Sequence, residues 1–123
     1  MNLDQLIENT KTLDNTIESY GFDLCRKDPK EEEEKYDSGE VIKTRSLLAY
    51  FEGVKYNAEY FIGISDSFIN LTFNLFDGDN YVHSISITKE GDISPIQFEI
   101  NDFLENYVVR ALGEFLTDEE FED

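Results

Sequence analysis

Trp is missing from this chain of 123 residues, which holds one His, one Cys, one Met and two Pro. Each scarcity removes a class of chemistry. A lone cysteine, Cys25, closes no internal disulfide, and that fits a reducing compartment. Cys25 and His83 together fall short of the roughly four Cys or His ligands of a structural zinc site. His83 adjoins Ser84, but neighbours on a strand point to opposite faces, so the two form no nucleophile–base pair. His83 reads as a half-buried strand residue. Cys25 lies beside Arg26 and Lys27, which favour a thiolate, yet no second Cys or adjacent His accompanies it, so it reads as structural or idle.

Other signatures fail on spacing. No Gly-rich loop leads into Lys and Ser or Thr. Asp77-Gly78-Asp79-Asn80 concentrates oxygen ligands, but Val82 and Thr88 stand where an EF-hand needs Gly and Glu, which leaves a hairpin turn. No carboxylate pair stands out for glycoside hydrolysis, and no Trp is present to stack on sugar. No apolar run approaches the ~18 residues of a membrane span. MNLDQLIENTK carries acids where a secretory leader carries bases. The expectation is a cytoplasmic protein that is not an enzyme and takes no cofactor or metal.

Bases are scarce as well: 28 Asp and Glu stand against 10 Lys and Arg, a net charge of −18. The imbalance is uneven. Residues 1–55 hold 13 acids and 8 bases (−5), whereas residues 56–123 hold 15 acids and 2 bases (−13). A polyanion of this kind is repelled by nucleic acid and by anionic lipid, so the partner it suits is a basic protein.

What is present is a core. Apolar residues make up 40% of the chain, with ten Phe and seven Tyr, too many for a disordered acidic tail. Length fits one domain, residues 1–123. Leu3, Leu6, Ile7, Thr10, Leu13, Ile17 and Tyr20 recur at three and four, predicting a helix over 3–20 with Asn2 and Gln5 as its capping box and Gly21 at its end. Asp4, Glu8, Asp14 and Glu18 fall off that stripe. Residues 22–26 read as a short strand. Residues 28–40, DPKEEEEKYDSGE, have no aliphatic side chain and read as an acidic mobile loop or hairpin tip. Period-two patterns follow over 44–52, 56–64, 68–76 and 81–88, the last with Tyr81, His83, Ile85 and Ile87 on one side. Short connections make these an antiparallel meander. Residues 96–100 fit a strand or, from Ser94-Pro95, a helix start. Ile100, Phe103, Leu104, Tyr107, Val108, Ala111, Leu112, Phe115 and Leu116 predict a C-terminal helix capped at Asn101. TDEEFED, residues 117–123, follows as an acidic tail. The predicted fold is α+β: an N-terminal helix, four or five antiparallel meander strands, and a C-terminal helix, with both helices on one sheet face.

Carboxylates at i and i+2 of a strand are about 6.7 Å apart, close to two nucleotide rises of about 3.4 Å each. The candidate partner-binding residues are Glu31, Glu32, Glu33, Glu34, Asp37 and Glu40 in the loop, Asp77 and Asp79 at a hairpin tip, and Asp118, Glu119, Glu120, Glu122 and Asp123 in the tail. In size, charge and mixed helix–sheet content the chain resembles the small acidic phage-encoded inhibitors of CRISPR nucleases and restriction enzymes; no motif takes part in that likeness. The resemblance implies a protein of the host cytoplasm that blocks a nucleic-acid site by polyanion mimicry. Two alternatives share the composition: an immunity or antitoxin protein that neutralises a basic toxin, with Tyr36 or Phe121 as an anchor, and an acidic domain whose charge only keeps it soluble.

Overall fold

A computed structural model describes residues 3–65, 68–90 and 96–120, with side chains at 96–99 and 115–120 left aside. Two helices, α1 (Leu3–Asn9) and α2 (Lys11–Ser19), precede five strands: β1 (Asp23–Lys35), β2 (Val41–Glu52), β3 (Asn57–Ile64), β4 (Phe68–Asp77) and β5 (Asn80–Glu90). The strands form one open antiparallel sheet in the order β1-β2-β3-β4-β5. A final helical run covers α3 (Ile96–Phe103), a π-helical turn at Leu104–Val108, and α4 (Val109–Glu120). This is the expected α+β arrangement with five strands. Residues 96–100 are helical, so Asn101 lies inside a helix and caps nothing. Asn2 lies outside the described residues.

Alternation decides the faces. Leu47, Ala49 and Phe51 of β2, Tyr60, Ile62 and Ile64 of β3, and Ile69, Leu71, Phe73 and Leu75 of β4 are buried on one face with Leu6, Leu13, Ile17, Ile100, Phe103, Leu104, Val108 and Leu112 from the helices. Both helical segments therefore cover that face. The opposite face is open, and its β4 and β5 positions are Asn70, Thr72, Asn74, Ser84, Ser86 and Thr88. The π turn inserts an extra residue's worth of rotation. Val108 stays on the core, while Tyr107, expected on the apolar stripe, is 40% exposed with its ring 5.9 Å from that of Phe103.

The predicted N-terminal helix is broken at Thr10. Its hydroxyl turns back to donate to Ile7 O at 2.8 Å, and its amide donates to the same carbonyl at 3.3 Å. Such back-bonding competes with helix propagation. One turn on, Asp14, expected off the apolar face, is 6% exposed. It accepts a hydrogen bond from the Tyr60 hydroxyl at 2.5 Å and an ion pair from the Lys27 ammonium, which also donates to Thr10 Oγ1 at 2.9 Å. This network joins α2 to β1 and β3 in the interior.

Two edge-strand bulges lie at one end of the sheet. Cys25 is the extra residue between the Leu24–Phe51 and Arg26–Tyr50 pairs, and Val82 is the extra residue between Leu75–His83 and Phe76–Tyr81. The first bulge turns Lys27 inward and Arg26 outward. The second puts Tyr81 on the open face, against the expectation that it lies beside His83, and its ring sits 4.7 Å from that of Phe76. At the same end, the Gly53 amide donates to Tyr56 O at 3.0 Å. A Cβ at Gly53 would stand 2.6 Å from that oxygen and 2.9 Å from the Phe22 ring, so the β2–β3 turn admits glycine alone without a shift.

Asp14→Ala leaves the enclosed Lys27 ammonium without its carboxylate and is expected to lower stability by about 3 kcal/mol, read from urea denaturation. Burial, then the hydrogen bond and negative charge of Asp14, push the Tyr60 phenol far above its usual value of 10.0. The neutral phenol is thus held in the folded state while the unfolded state ionises. Its stabilising contribution is full below about pH 10 and is lost as pH rises from there toward the folded-state value. The stability difference between wild type and Tyr60→Phe should be constant below about pH 9 and shrink by up to about 1.4 kcal/mol per unit above about pH 10.

Candidate functional site

Glu31–Glu34 do not sit in a loop. They are strand residues of β1, paired with Arg45, Thr44, Lys43 and Ile42 of β2. Strand β3 ends where Ile64 pairs with Arg45. From that point β1 and β2 form a two-stranded arm, rooted at Glu31–Arg45 and continuing through Glu32–Thr44, Glu33–Lys43, Glu34–Ile42 and Lys35–Val41, about 13 Å long at strand rise. The tip closes with Tyr36 N–H donating to Glu40 O at 2.8 Å and Gly39 N–H to Tyr36 O at 2.9 Å. Gly39 takes φ 87°, which an L side chain rarely adopts.

Alternation divides the four glutamates between faces. Glu31 and Glu33 point to the helix side, Glu32 and Glu34 to the open side. All are exposed, as are Asp37 and Glu40 in the turn. The arm also carries its own cations. Lys43 Nζ lies 3.4 Å from Glu31 Oε1 and Lys30 Nζ lies 3.0 Å from Glu32 Oε1, both pairs about half exposed or more. Ion pairs of this exposure are worth roughly 0–1 kcal/mol, so a partner's cation exchanges into them at little cost.

The remaining predicted residues are elsewhere. Asp77 ends β4 just before the two-residue Gly78-Asp79 turn of the β4–β5 hairpin and Asp79 lies within it, both exposed, at the opposite end of the sheet from the arm. The β3 strand between those ends spans about 25 Å. Asp118, Glu119 and Glu120 do not form a separate tail, because their backbone continues α4. Glu122, Asp123 and Phe121 lie outside the described residues. The acidic groups predicted as partner contacts are thus not one patch: the arm gathers six of them, and the far hairpin holds two.

At that far end the open face carries a feature that charge counting misses. One cross-strand row runs Arg26, Tyr50, Glu59, Asn74 and Ser84 over all five strands. The Arg26 guanidinium lies 4.7 Å from the Tyr50 ring centroid, and its Nε pairs with Asp28 at 2.6 Å. Ser84 Oγ donates to Asn74 Oδ1 at 2.5 Å, and Asn74 Nδ2 donates to Glu59 Oε1 at 2.9 Å, which fixes the Glu59 carboxylate. The next row runs Glu52, Asn57, Phe76 and Tyr81. Between the rows is an open cleft of about 410 Å³ whose walls include Tyr50, Glu52, Glu59, Phe76, Asp79 and Tyr81. The period-two pattern holds the signal for Tyr50, Glu52 and Glu59, which share one face across the Gly53 turn. Tyr81 joins them only through the Val82 bulge, for which the sequence has no local mark.

Cys25 is exposed, its thiol 3.8 Å from Glu52 Oε2. Among the described residues no three His, Cys, Asp or Glu side chains are grouped to hold a metal ion, and no helix is long and apolar enough to cross a membrane. No known protein family, curated protein or solved structure matches this chain, so its function is read from its own residues.

Proposed function

We infer that this chain is a small acidic inhibitor that binds a basic nucleic-acid-binding protein and occupies its nucleic-acid site in place of the polyanion. The observation that carries this reading is the arm. It holds Glu31–Glu34 in extended backbone, exposed, with alternate carboxylates at about the phosphate-like interval of 6.7 Å on each face. A strand fixes that interval, whereas a loop would not. The total of −18 adds long-range attraction toward a basic groove and raises the encounter rate. The arm projects beyond β3, so it can enter a groove that the five-stranded body cannot.

The immunity-type reading draws on a different observation, the aromatic and carboxylate cleft at the other end of the sheet, since anchored aromatics suit a fixed protein partner. The two readings part on competition. A mimic is displaced by DNA or RNA, while an immunity protein seated away from the nucleic-acid site is not.

The test begins with capture of basic partners from lysate at low salt, followed by affinity measurements on the purified pair. Affinity should fall steeply between about 50 and about 500 mM salt. Replacing Glu31–Glu34 by Gln should weaken binding at least about tenfold at low salt and flatten the salt dependence. A short duplex or single strand should compete. Affinity that is flat in salt and indifferent to the four substitutions rules the reading out.

A further inference from the structure

We propose that the cleft between Tyr50, Glu59, Phe76 and Tyr81 receives an arginine side chain of the basic partner. The proposal rests on the reading above for the partner's charge, and on the cleft's own chemistry for the residue type. A guanidinium is planar, stacks on aromatic faces, and forms paired hydrogen bonds with carboxylates. The cleft supplies both halves of that recognition. Tyr81 is 64% exposed and packs against Phe76 at a centroid distance of 4.7 Å, so its ring is presented to a visitor with support behind it. Glu59 is held in place by Asn74, itself 8% exposed, so the carboxylate is oriented before binding. Glu52 and Asp79 add two negative charges at the walls.

The chain displays the same contact internally. Arg26 stacks over Tyr50 at 4.7 Å and pairs with a carboxylate two residues on. Its charge is met by Asp28, so Glu52, Glu59 and Asp79 face the cleft with a net negative field. A second copy of this chain is a poor occupant, because it brings −18 to a surface of the same sign. Both edge-strand bulges lie at this end, a placement associated with sites that re-aim side chains.

The experiment is an amide-resolved NMR titration of the whole chain with the capped tripeptide Gly-Arg-Gly, with Gly-citrulline-Gly and Gly-Lys-Gly as controls. Citrulline keeps the shape and removes the charge. Saturable shifts at Tyr50, Glu59, Phe76 and Tyr81 are expected with the arginine peptide. They should be absent with citrulline and weaker with lysine. Glu59→Gln, which keeps the acceptor for Asn74, and Tyr81→Ala, at an exposed position, should each weaken binding about fivefold. Shifts spread over the arm and the cleft alike, equal response to citrulline, or a concentration-dependent dimer dispersed by Tyr81→Ala would overturn the proposal. The two readings fail separately. Binding of basic proteins that ignores Glu59→Gln and Tyr81→Ala removes the cleft and leaves the arm. Arginine seated in the cleft of a chain that binds no basic protein removes the inhibitor reading and leaves the cleft.

Discussion

Asp14 ties together parts of the molecule that have little else in common. Strand β1 buries no apolar side chain along its length from Asp23 to Lys35; Lys27 alone is partly enclosed. Its backbone ladder to β2 holds it in the sheet, and the Lys27–Asp14 pair fastens it to α2. Because Tyr60 of β3 donates to the same carboxylate, one side chain fixes a helix, an edge strand and a central strand together. The cost of enclosing a carboxylate and an ammonium is offset by mutual charge and by the added bonds from Tyr60 and Thr10. The arm starts farther along β1, at the Glu31–Arg45 pair, and Arg26, which stacks on Tyr50 of the cleft, is the immediate neighbour of Lys27.

The meander and the two helical regions were legible in the sequence because each carries a strong period: alternation in β3 and β4, three–four spacing around Leu6, Leu13 and Ile17, and around Phe103, Val108 and Leu112. Strand β1 was legible only at its start, where residues 22–26 read as a strand; its length through Lys35 was not. Asp, Glu, Lys and Pro are depleted in strands, and DPKEEEEK has no apolar face to reveal it. It is a strand because β2 offers a long row of backbone partners. Asp14 was misplaced for the opposite reason: a charged residue at a core position looks like a break in the stripe until Lys27 and Tyr60 are seen beside it. Of the candidate site, the exposed glutamates were found, but their division between two faces depends on register, and register is a property of the pair rather than of either strand.

Charge and packing answer each other across the sheet. One face is sealed by helices and holds nearly all the apolar mass. The other stays open, and the Asn, Thr and Ser side chains of β4 and β5 hydrogen-bond one another there, as in Thr72 with Ser86 at 3.1 Å. That part of the face is wettable, while on β2 and β3 the same face carries Leu48 and the 36% exposed Phe61. The aromatic end of the same face has acids beside it in Glu52, Glu59 and Asp79. A net charge of −18 on so small a body weakens it by self-repulsion. Drawing six acids out onto an arm and two onto a far hairpin spreads that repulsion over the length of the molecule.

The Val82 bulge has a consequence for how such a surface is gained or lost over generations. Were the ladder to run straight through Val82, alternation would turn Tyr81 toward the helices and leave Phe76 with no ring beside it. What decides the pair is register, not residue type. Deleting the Val82 codon would keep the aromatic pair, because Tyr81 would then directly precede His83 and still stand opposite Phe76; a ladder that takes Val82 up as a regular residue would erase it. Divergent copies of this chain with the same composition, the same acidity and the same five strands would then differ in whether that end of the sheet recognises anything.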